Sequence, residues 1–237
     1  MHTHSVIARS TIHAEAVRHP AASARPLQHR GDDANGPLDH EIMLMGAIVS
    51  YQRNSEIFGE CEPVEYLYKV VSGGVRTSKI LSDGRRQIGD FYLPGDIFGL
   101  EFAATHVLSA EAITDTKVLV IKRSALNALA ARDASVAAQL FALTGRELRR
   151  AQERIVLLVK SAQERVAGFL LEMSDRLALD DAIELPMSRQ DIADYLGLTI
   201  ETVSRTLTSL ESAAAIELTT ARRIRLRNRN ALSCMNG

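Results

Sequence analysis

Residues 189–210 read RQDIADYLGLTIETVSRTLTSL, and this stretch has the residue pattern of a helix-turn-helix. Apolar residues at helical spacing mark a first helix, and Ala193 among them is small enough for a second helix to cross closely over it. Gly197 predicts the end of the first helix, because glycine adopts the left-handed C-terminal conformation without strain. Thr199 then offers a hydroxyl cap for the second helix.

The second helix is predicted to bury one side and to expose another. The buried side recurs at helical spacing, through Val203, Leu207 and Leu210. Glu201, Ser204 and Arg205 share a different face, and their side chains suit base edges in the major groove, since arginine grips guanine and glutamate accepts from the cytosine amino group. The alternative is an ordinary helical hairpin whose Glu201 and Arg205 form an exposed ion pair.

A basic segment, TTARRIRLRNR at 219–229, lies just downstream. Ile224 and Leu226 alternate with arginines, as in a strand with one apolar face, and this predicts a hairpin wing that carries Arg222, Arg223, Arg225 and Arg227. Guanidinium groups there can bind phosphates, although a solvated edge strand is the alternative. The expected phosphate contacts are Ser188, Arg189, Thr199, Thr202, Arg222 and Arg223.

Composition limits the other classes of function. The chain has 237 residues, enough for two domains, and a formal net charge of -1, so DNA binding through bulk positive charge is excluded. No run approaches the roughly 20 apolar residues of a membrane span, and the N-terminus lacks the apolar core of a secretory signal. We therefore expect a cytoplasmic protein without a membrane partner. Cys61 and Cys234 are too few and too far apart for a disulfide framework or a cysteine-based metal site.

The N-terminal half changes character twice. Residues 1–37 lack sustained periodicity and are expected to be disordered, and the irregularly spaced histidines fit a polar tail better than a metal site: His2, His4, His13, His19, His29 and His40. A short helix is expected over 39–48. From 49 to 122, short apolar runs alternate with turn signals such as Gly73-Gly74, Asp83-Gly84 and Pro94-Gly95, which predicts a compact antiparallel barrel or roll.

Residues 124–160 are predicted to be helical and to carry a coiled-coil seam. The seam follows alternating spacings of three and four, and its expected dimer contacts are Phe141, Leu148, Ala151, Ile155 and Leu158. Alternatively the same stripe packs on its own barrel, as Leu143, Val156 and Leu157 could do on a second side. A homodimer is favoured because helix-turn-helix proteins usually pair to read two half-sites. The next helix, over 161–179, is expected to pack under the DNA-reading pair through Val166, Phe169, Leu170 and Met173.

These features predict an α+β fold with an N-terminal antiparallel β-roll, a long dimerisation helix and a C-terminal winged helix-turn-helix. The expected division is a leader at 1–37, a sensor-like β-roll at 38–133, the dimerisation helix at 134–160, the DNA-binding domain at 161–230 and a tail at 231–237.

Three motifs resemble the CRP/FNR family of bacterial transcription regulators, and within it the FixK branch, over roughly residues 38–230: LPGDIFG, RELRRAQERIVLLVKSAQERVAGFL and MSRQDIADYLGLTIETVSRTL. The resemblance implies a roll like that of cyclic-nucleotide-binding domains. It also implies that Glu201, Ser204 and Arg205 contact bases in a half-site such as TTGAT, repeated as an inverted palindrome. The resemblance further implies contact with RNA polymerase and activation of genes for low-oxygen respiration, denitrification or nitrogen fixation. On this basis we expect a regulator and not an enzyme.

The sequence departs from two ligand-binding patterns of that family. Cyclic-nucleotide-binding relatives carry a glutamate and an arginine in the roll, whereas Leu100 and Leu108 stand at those places here. Iron-sulfur members need an N-terminal cysteine cluster and a further cysteine in the roll, where Leu119 stands. We therefore expect no cofactor, no metal and no direct sensing of oxygen.

His106 and Cys61 are the single residues of the roll that could act as a ligand or a sensor. His106 is predicted to be a solvent-facing loop residue rather than a haem ligand, and Cys61 has no cationic neighbour in sequence to activate its thiol. One alternative is an effector-gated regulator whose roll binds haem, nitric oxide or another small ligand. The other is a cyclic-nucleotide-binding regulatory module without an output of its own.

Overall fold

The computed structural model describes residues 37–157, 159–177 and 182–236. The predicted leader, apart from Pro37, and the predicted seam residue Leu158 lie outside these ranges. The elements follow in the order α1 (Pro37–Met45), β1 (Ala47–Tyr51), β2 (Glu56–Phe58), β3 (Tyr66–Ser72), β4 (Val75–Ile80), β5 (Arg86–Tyr92), β6 (Ile97–Phe98), β7 (Ser109–Ala112), β8 (Thr116–Lys122), α2 (Arg123–Ala130), α3 (Ala134–Leu157), α4 (Ala162–Leu177), β9 (Ala182–Glu184), α5 (Arg189–Leu196), α6 (Ile200–Ser212), β10 (Ile216–Leu218), β11 (Arg223–Leu226) and α7 (Arg229–Asn236).

The predicted antiparallel roll is confirmed as two four-stranded sheets, in the orders β1-β8-β3-β6 and β2-β7-β4-β5. Aromatic and β-branched side chains from both sheets form its core, including Phe58, Tyr68 and Phe98. The turn between β3 and β4 depends on Gly73, which has a φ of 86° and whose Cβ, if present, would lie 2.5 Å from the carbonyl oxygen of Asp115. A side chain is excluded there both by conformation and by space.

The helices around the roll differ in two places from the sequence prediction. The helix expected over 39–48 ends at Met45, because strand β1 pairs with β8 from Ala47 onward. The single helix expected over 124–160 is two helices, α2 and α3, separated at 131–133. The carboxylate of Asp133 accepts from the backbone N–H groups of Ser135 (2.8 Å) and Val136 (3.3 Å), so it caps a new helix.

His106 is not the solvent-facing residue that the sequence predicted. It is 2% exposed, and its ring stacks on Phe58 with a centroid distance of 3.6 Å and an interplanar angle of 13°. Its Nδ1 lies 3.3 Å from a carboxylate oxygen of Glu101, and its backbone N–H donates to the backbone carbonyl of Glu62. The loop therefore folds back onto the roll, where an aromatic partner and a carboxylate replace the water that a turn residue would contact.

The C-terminal domain shares one apolar core with the roll. The predicted core face of α4 is buried, through Val166, Phe169, Leu170 and Met173. The same cluster includes Ile88, Phe91, Leu93 and Ile113 from the roll. The three-stranded sheet β10-β11-β9 forms the wing beside the helix pair. None of the helices within the described ranges has the length and apolar character to cross a membrane.

Candidate nucleic-acid interface

The two helices of the predicted helix-turn-helix are capped by the residues at their ends. Ser188 and Asp191 form a capping box at the start of α5, each side chain accepting from the other's backbone N–H. Gly197 ends α5 in the left-handed conformation at φ 63°, as predicted, and the Leu198 N–H donates to the carbonyl of Ala193. Thr199 caps α6 by accepting from the N–H of Thr202 at 3.2 Å. The turn between the helices is thereby fixed by local hydrogen bonds.

Helix α6 presents the predicted reading face away from the core. Its apolar side is fully buried, through Val203, Leu207 and Leu210. Glu201 and Arg205 are exposed, and Ser204 between them is half-buried. Hydrogen bonds from its own backbone N–H and from the Thr199 hydroxyl lower the pKa of Glu201 below its usual value. Glu201 is therefore an ionised carboxylate at neutral pH, and a carboxylate can only accept hydrogen bonds.

The structure joins Arg189, a predicted phosphate contact, to the reading face. One terminal nitrogen of Arg189 donates to the hydroxyl oxygen of Ser204 at 3.4 Å, so the start of α5 touches the middle of α6. The Nε of Arg189 is buried without a hydrogen-bond partner. Because Ser204 accepts from the guanidinium, its own O–H stays available to donate.

Three predicted phosphate-contact residues carry hydroxyl groups that already serve the helix starts. Ser188 donates to the Asp191 carboxylate at 2.7 Å and accepts from the Asp191 N–H at 3.1 Å. Thr199 and Thr202 lie at the first turn of α6 with their hydroxyl oxygens 3.0 Å apart. A helix N-terminus has unpaired N–H groups and a partial positive charge, so it attracts anions. Thr199 and Thr202 thus lie where a phosphate can be bound.

The wing divides its four arginines into two pairs. Arg225 and Arg227 form exposed ion pairs with Glu217, at 3.2 and 3.1 Å. Arg222 and Arg223 lie at the tip, where their backbone N–H groups donate to Thr220, and within the described ranges neither forms an ion pair. The tip therefore carries the uncompensated positive charge.

A contact that the sequence did not predict ties the roll to α5. Arg76 on β4 and Arg86 on β5 both donate to one oxygen of Asp191, at 2.9 and 2.6 Å, and Arg86 also donates to Asp194 at 2.8 Å. Burial would raise the pKa of Asp191, but the hydrogen bonds from Ser188 and the two guanidinium groups lower it below its usual value. More than 100 residues separate these partners in sequence, so no local pattern marks them.

The predicted dimer face of α3 is uncovered in the single chain. Phe141, Leu148 and Ile155 are 81%, 60% and 66% exposed, and Ala151 between them is exposed too. Leu143 and Leu157 pack on the chain's own core, as the sequence allowed for a second side, whereas Val156 stays exposed. An exposed apolar stripe of this length on a folded domain marks an interaction surface.

The roll has apolar side chains where the resemblance would require ligand-binding groups. Leu100 packs against the cluster formed by α1, β3, β8, α2 and α3. Leu108 fills the space above Gly89, where a Cβ would lie 2.4 Å from its Cδ1. Neither side chain can bind a ribose or a phosphodiester, so these positions do not fit a cyclic nucleotide. The described residues include no group of three or more His, Cys, Asp or Glu side chains placed to hold a metal ion.

Comparisons with known proteins agree with both halves of this architecture. A family model described as a Crp-like helix-turn-helix domain matches residues 164–235. A model described as a cyclic nucleotide-binding domain matches residues 48–133.

Several regulators are similar over most of the chain. The nitrogen fixation regulation protein FixK of Azorhizobium caulinodans is 47% identical, over 96% of this chain and 96% of its own length. The transcriptional activatory protein AadR of Rhodopseudomonas palustris is 40% identical, over 74% of this chain and 76% of its own length. The solved structure of FixK2 from Bradyrhizobium japonicum has a TM-score of 0.79 at 53% identity, over 81% of this chain and 98% of that one.

Proposed function

Because this chain belongs to the CRP/FNR family of transcription regulators, we propose that it binds an inverted repeat in double-stranded DNA as a homodimer and regulates transcription there. The observation that carries the proposal is the exposed face of α6, where Glu201, Ser204 and Arg205 project from a helix whose other side is fully buried. A helix with one rigidly packed side and one polar exposed side can enter a major groove without refolding.

Each residue of the reading face has a distinct chemical role in the proposal. Arg205 binds O6 and N7 of a guanine with two hydrogen bonds. The ionised Glu201 accepts from the amino group of a cytosine. Ser204, which accepts from Arg189, donates to a base that presents an acceptor. These roles suit a half-site of the TTGAT type.

Affinity in this proposal comes from the groups around the reading face. Arg189, Thr199 and Thr202 bind phosphates at the starts of the two helices. Ser188, which caps α5, contacts a phosphate at the same helix start. Arg222 and Arg223 bind a further phosphate from the wing tip, since no carboxylate neutralises them within the described ranges. Such contacts place a protein on the duplex but do not read its sequence.

The biological role follows from the relatives. The FixK relatives are named as regulators of nitrogen fixation, and AadR is named as a transcriptional activatory protein. We infer that this chain regulates genes for nitrogen fixation or low-oxygen metabolism in the cytoplasm, as an activator that contacts RNA polymerase. It acts as a regulator and not as an enzyme. Leu100 and Leu108 support activity without a cyclic nucleotide.

A base-by-base binding screen tests the base-reading role. Arg205→Ala should cost about 1–3 kcal/mol per half-site and relax discrimination at one base pair, because one guanine loses its bidentate partner. Thr208→Ala is the matched control, since Thr208 is exposed one turn further along α6 and its hydroxyl donates to the carbonyl of Ser204. Equal losses on every sequence for Arg205→Ala, or a similar change of specificity for Thr208→Ala, would contradict the assignment.

A further inference from the structure

Strand β5 is an edge strand of its sheet, and α5 of the DNA-binding domain packs beside it. Phe91 lies with its ring centroid 5.2 Å from that of Tyr195 on α5 and 6.4 Å from that of Phe169 on α4. The roll and the helix-turn-helix therefore meet through a packed apolar contact rather than a solvated gap. Such a contact restricts how the two parts can turn relative to each other.

An ion cluster, formed by Arg76, Arg86, Asp191 and Asp194, borders this apolar contact. The side chain of Asp191 is 6% exposed and that of Arg76 is 12% exposed. Arg76 also binds Glu111 on β7 at 2.9 Å, so it is held inside its own sheet. Charges shielded from water in this way attract each other more strongly than surface charges do, and losing one partner leaves the other charge poorly compensated.

Asp191 has two roles at once. Its carboxylate completes the capping box that starts α5, and it accepts both guanidinium groups of the roll. Helix α5 in turn touches the reading face of α6 through Arg189 and Ser204. Hydrogen bonds thus join the roll to α5, and α5 to the residues that we assign to base reading.

We propose that Arg76 and Arg86 are positioning residues for DNA recognition, which hold α5, and with it the reading helix α6, in one orientation relative to the dimerisation helix α3. The inference rests on the proposed function. The roll is the common support, since α3 packs on it through Leu143 and α5 is held to it by the ion cluster. The distance between the two reading helices of a dimer is then set by the roll, with no ligand required.

This arrangement has a consequence for the DNA that the dimer accepts. Two half-sites are read together only when their separation, about 34–36 Å for one helical turn, matches that of the reading helices. A helix-turn-helix that the roll already holds in the correct orientation loses no orientational freedom when it binds the matching spacing. A loosened helix-turn-helix loses that freedom on binding, and this entropy cost weakens its affinity. Loosening should therefore weaken binding to the correct spacing more than binding to altered spacings.

The test compares Arg86→Gln with Arg85→Gln, its neighbour in sequence. Arg85 is exposed and, among the residues that the structure describes, its side chain pairs only with Asp83, so it is a matched control for the loss of one positive charge. Fluorescence anisotropy is measured on palindromes with the natural spacer and with one or two base pairs added or removed, over a series of salt concentrations. Arg86→Gln should bind the natural spacing about tenfold more weakly and should discriminate less between spacings. Its salt dependence and its half-site base preference should match those of Arg85→Gln.

Several results would overturn the proposal. Unchanged affinity and unchanged spacer selectivity for both Arg86→Gln and Arg76→Gln would show that the ion cluster positions nothing. A salt slope that falls by about one for Arg86→Gln would show a direct phosphate contact instead. An equal loss at all spacings, together with a lower melting temperature, would show a role in stability only. If the wild-type protein preferred no palindrome over a scrambled duplex, the proposed function itself would fail, and this inference with it.

Discussion

Replacing Ile155 with glutamate should dissociate the dimer that we propose. Ile155 is 66% exposed in the single chain, and burying an isoleucine side chain completely contributes about 1.5–3 kcal/mol. Two thirds of that, counted for both protomers, is about 2–4 kcal/mol of lost association free energy. This alone raises the dimer dissociation constant by roughly 30- to 1000-fold. The two carboxylates brought together at the seam would add to the loss, because burying unpaired charge is costly.

Sedimentation velocity over a micromolar concentration range measures this change directly. Ile80→Glu is the matched control, because Ile80 is a similarly exposed isoleucine, 61% exposed at the end of β4 in the roll, and undergoes the same substitution. The control should sediment as the wild-type dimer, and Ile155→Glu as a monomer that binds the palindrome weakly. An Ile155→Glu protein that stays dimeric at the wild-type concentration, or an Ile80→Glu protein that dissociates equally, would refute the assignment of the seam.

Three further predictions concern the DNA-binding domain. Arg223→Ala should weaken binding to all DNA sequences alike and should lower the slope of log affinity against log salt concentration by about one. Arg225→Ala should have a smaller effect, because Arg225 is paired with Glu217. A loss that depended on the DNA sequence would count against a phosphate contact. Gly197→Ala should destabilise the protein to urea by about 1–2 kcal/mol, because a side chain at φ 63° is strained even though its Cβ would be in ordinary contact with Arg165, at 3.6 Å. Gly145→Ala, which has open space in the middle of α3, should instead stabilise the protein, and equal effects of the two substitutions would contradict this reasoning. Asp191→Asn should weaken the loss of folding free energy at low pH. The pKa of Asp191 is below the ordinary 3.8, so its carboxylate contributes stability that is present above about pH 4 and is lost as the pH falls through the pKa of the folded state. If urea titrations gave the same low-pH loss for the variant and the wild type, this contribution would be disproved.

Local sequence patterns predicted most of the fold. The helix-turn-helix could be located because its determinants are short-range: Gly197 ends a helix, Thr199 caps the next one, and Val203 repeats at helical spacing with its neighbours. The turns of the roll were visible for the same reason, since glycine adopts a positive φ without strain, as Gly73, Gly84 and Gly95 do. These signals act within a few residues and do not depend on tertiary context.

Tertiary contacts account for what the sequence did not reveal. His106 was expected in solvent because nothing near it in sequence indicates the ring of Phe58 that stacks on it. The break before α3 was missed because Asp133 lies inside an otherwise helical pattern, and only its hydrogen bonds show that it starts a new helix. The ion cluster around Asp191 joins residues more than 100 positions apart, and a single sequence contains no record of such pairing.

We propose that this chain reads a palindrome as a dimer without a bound ligand, and one binding experiment can decide this. The wild-type protein, purified in air and free of metal and nucleotide, is titrated against a full TTGAT-type palindrome, a duplex with one intact half-site and a scrambled duplex. We expect a dissociation constant of about 10⁻⁸–10⁻¹¹ M for the palindrome and binding at least about a hundredfold weaker for the other two. Equal affinity for the palindrome and the single half-site, or tight binding only after cyclic AMP is added, would contradict it.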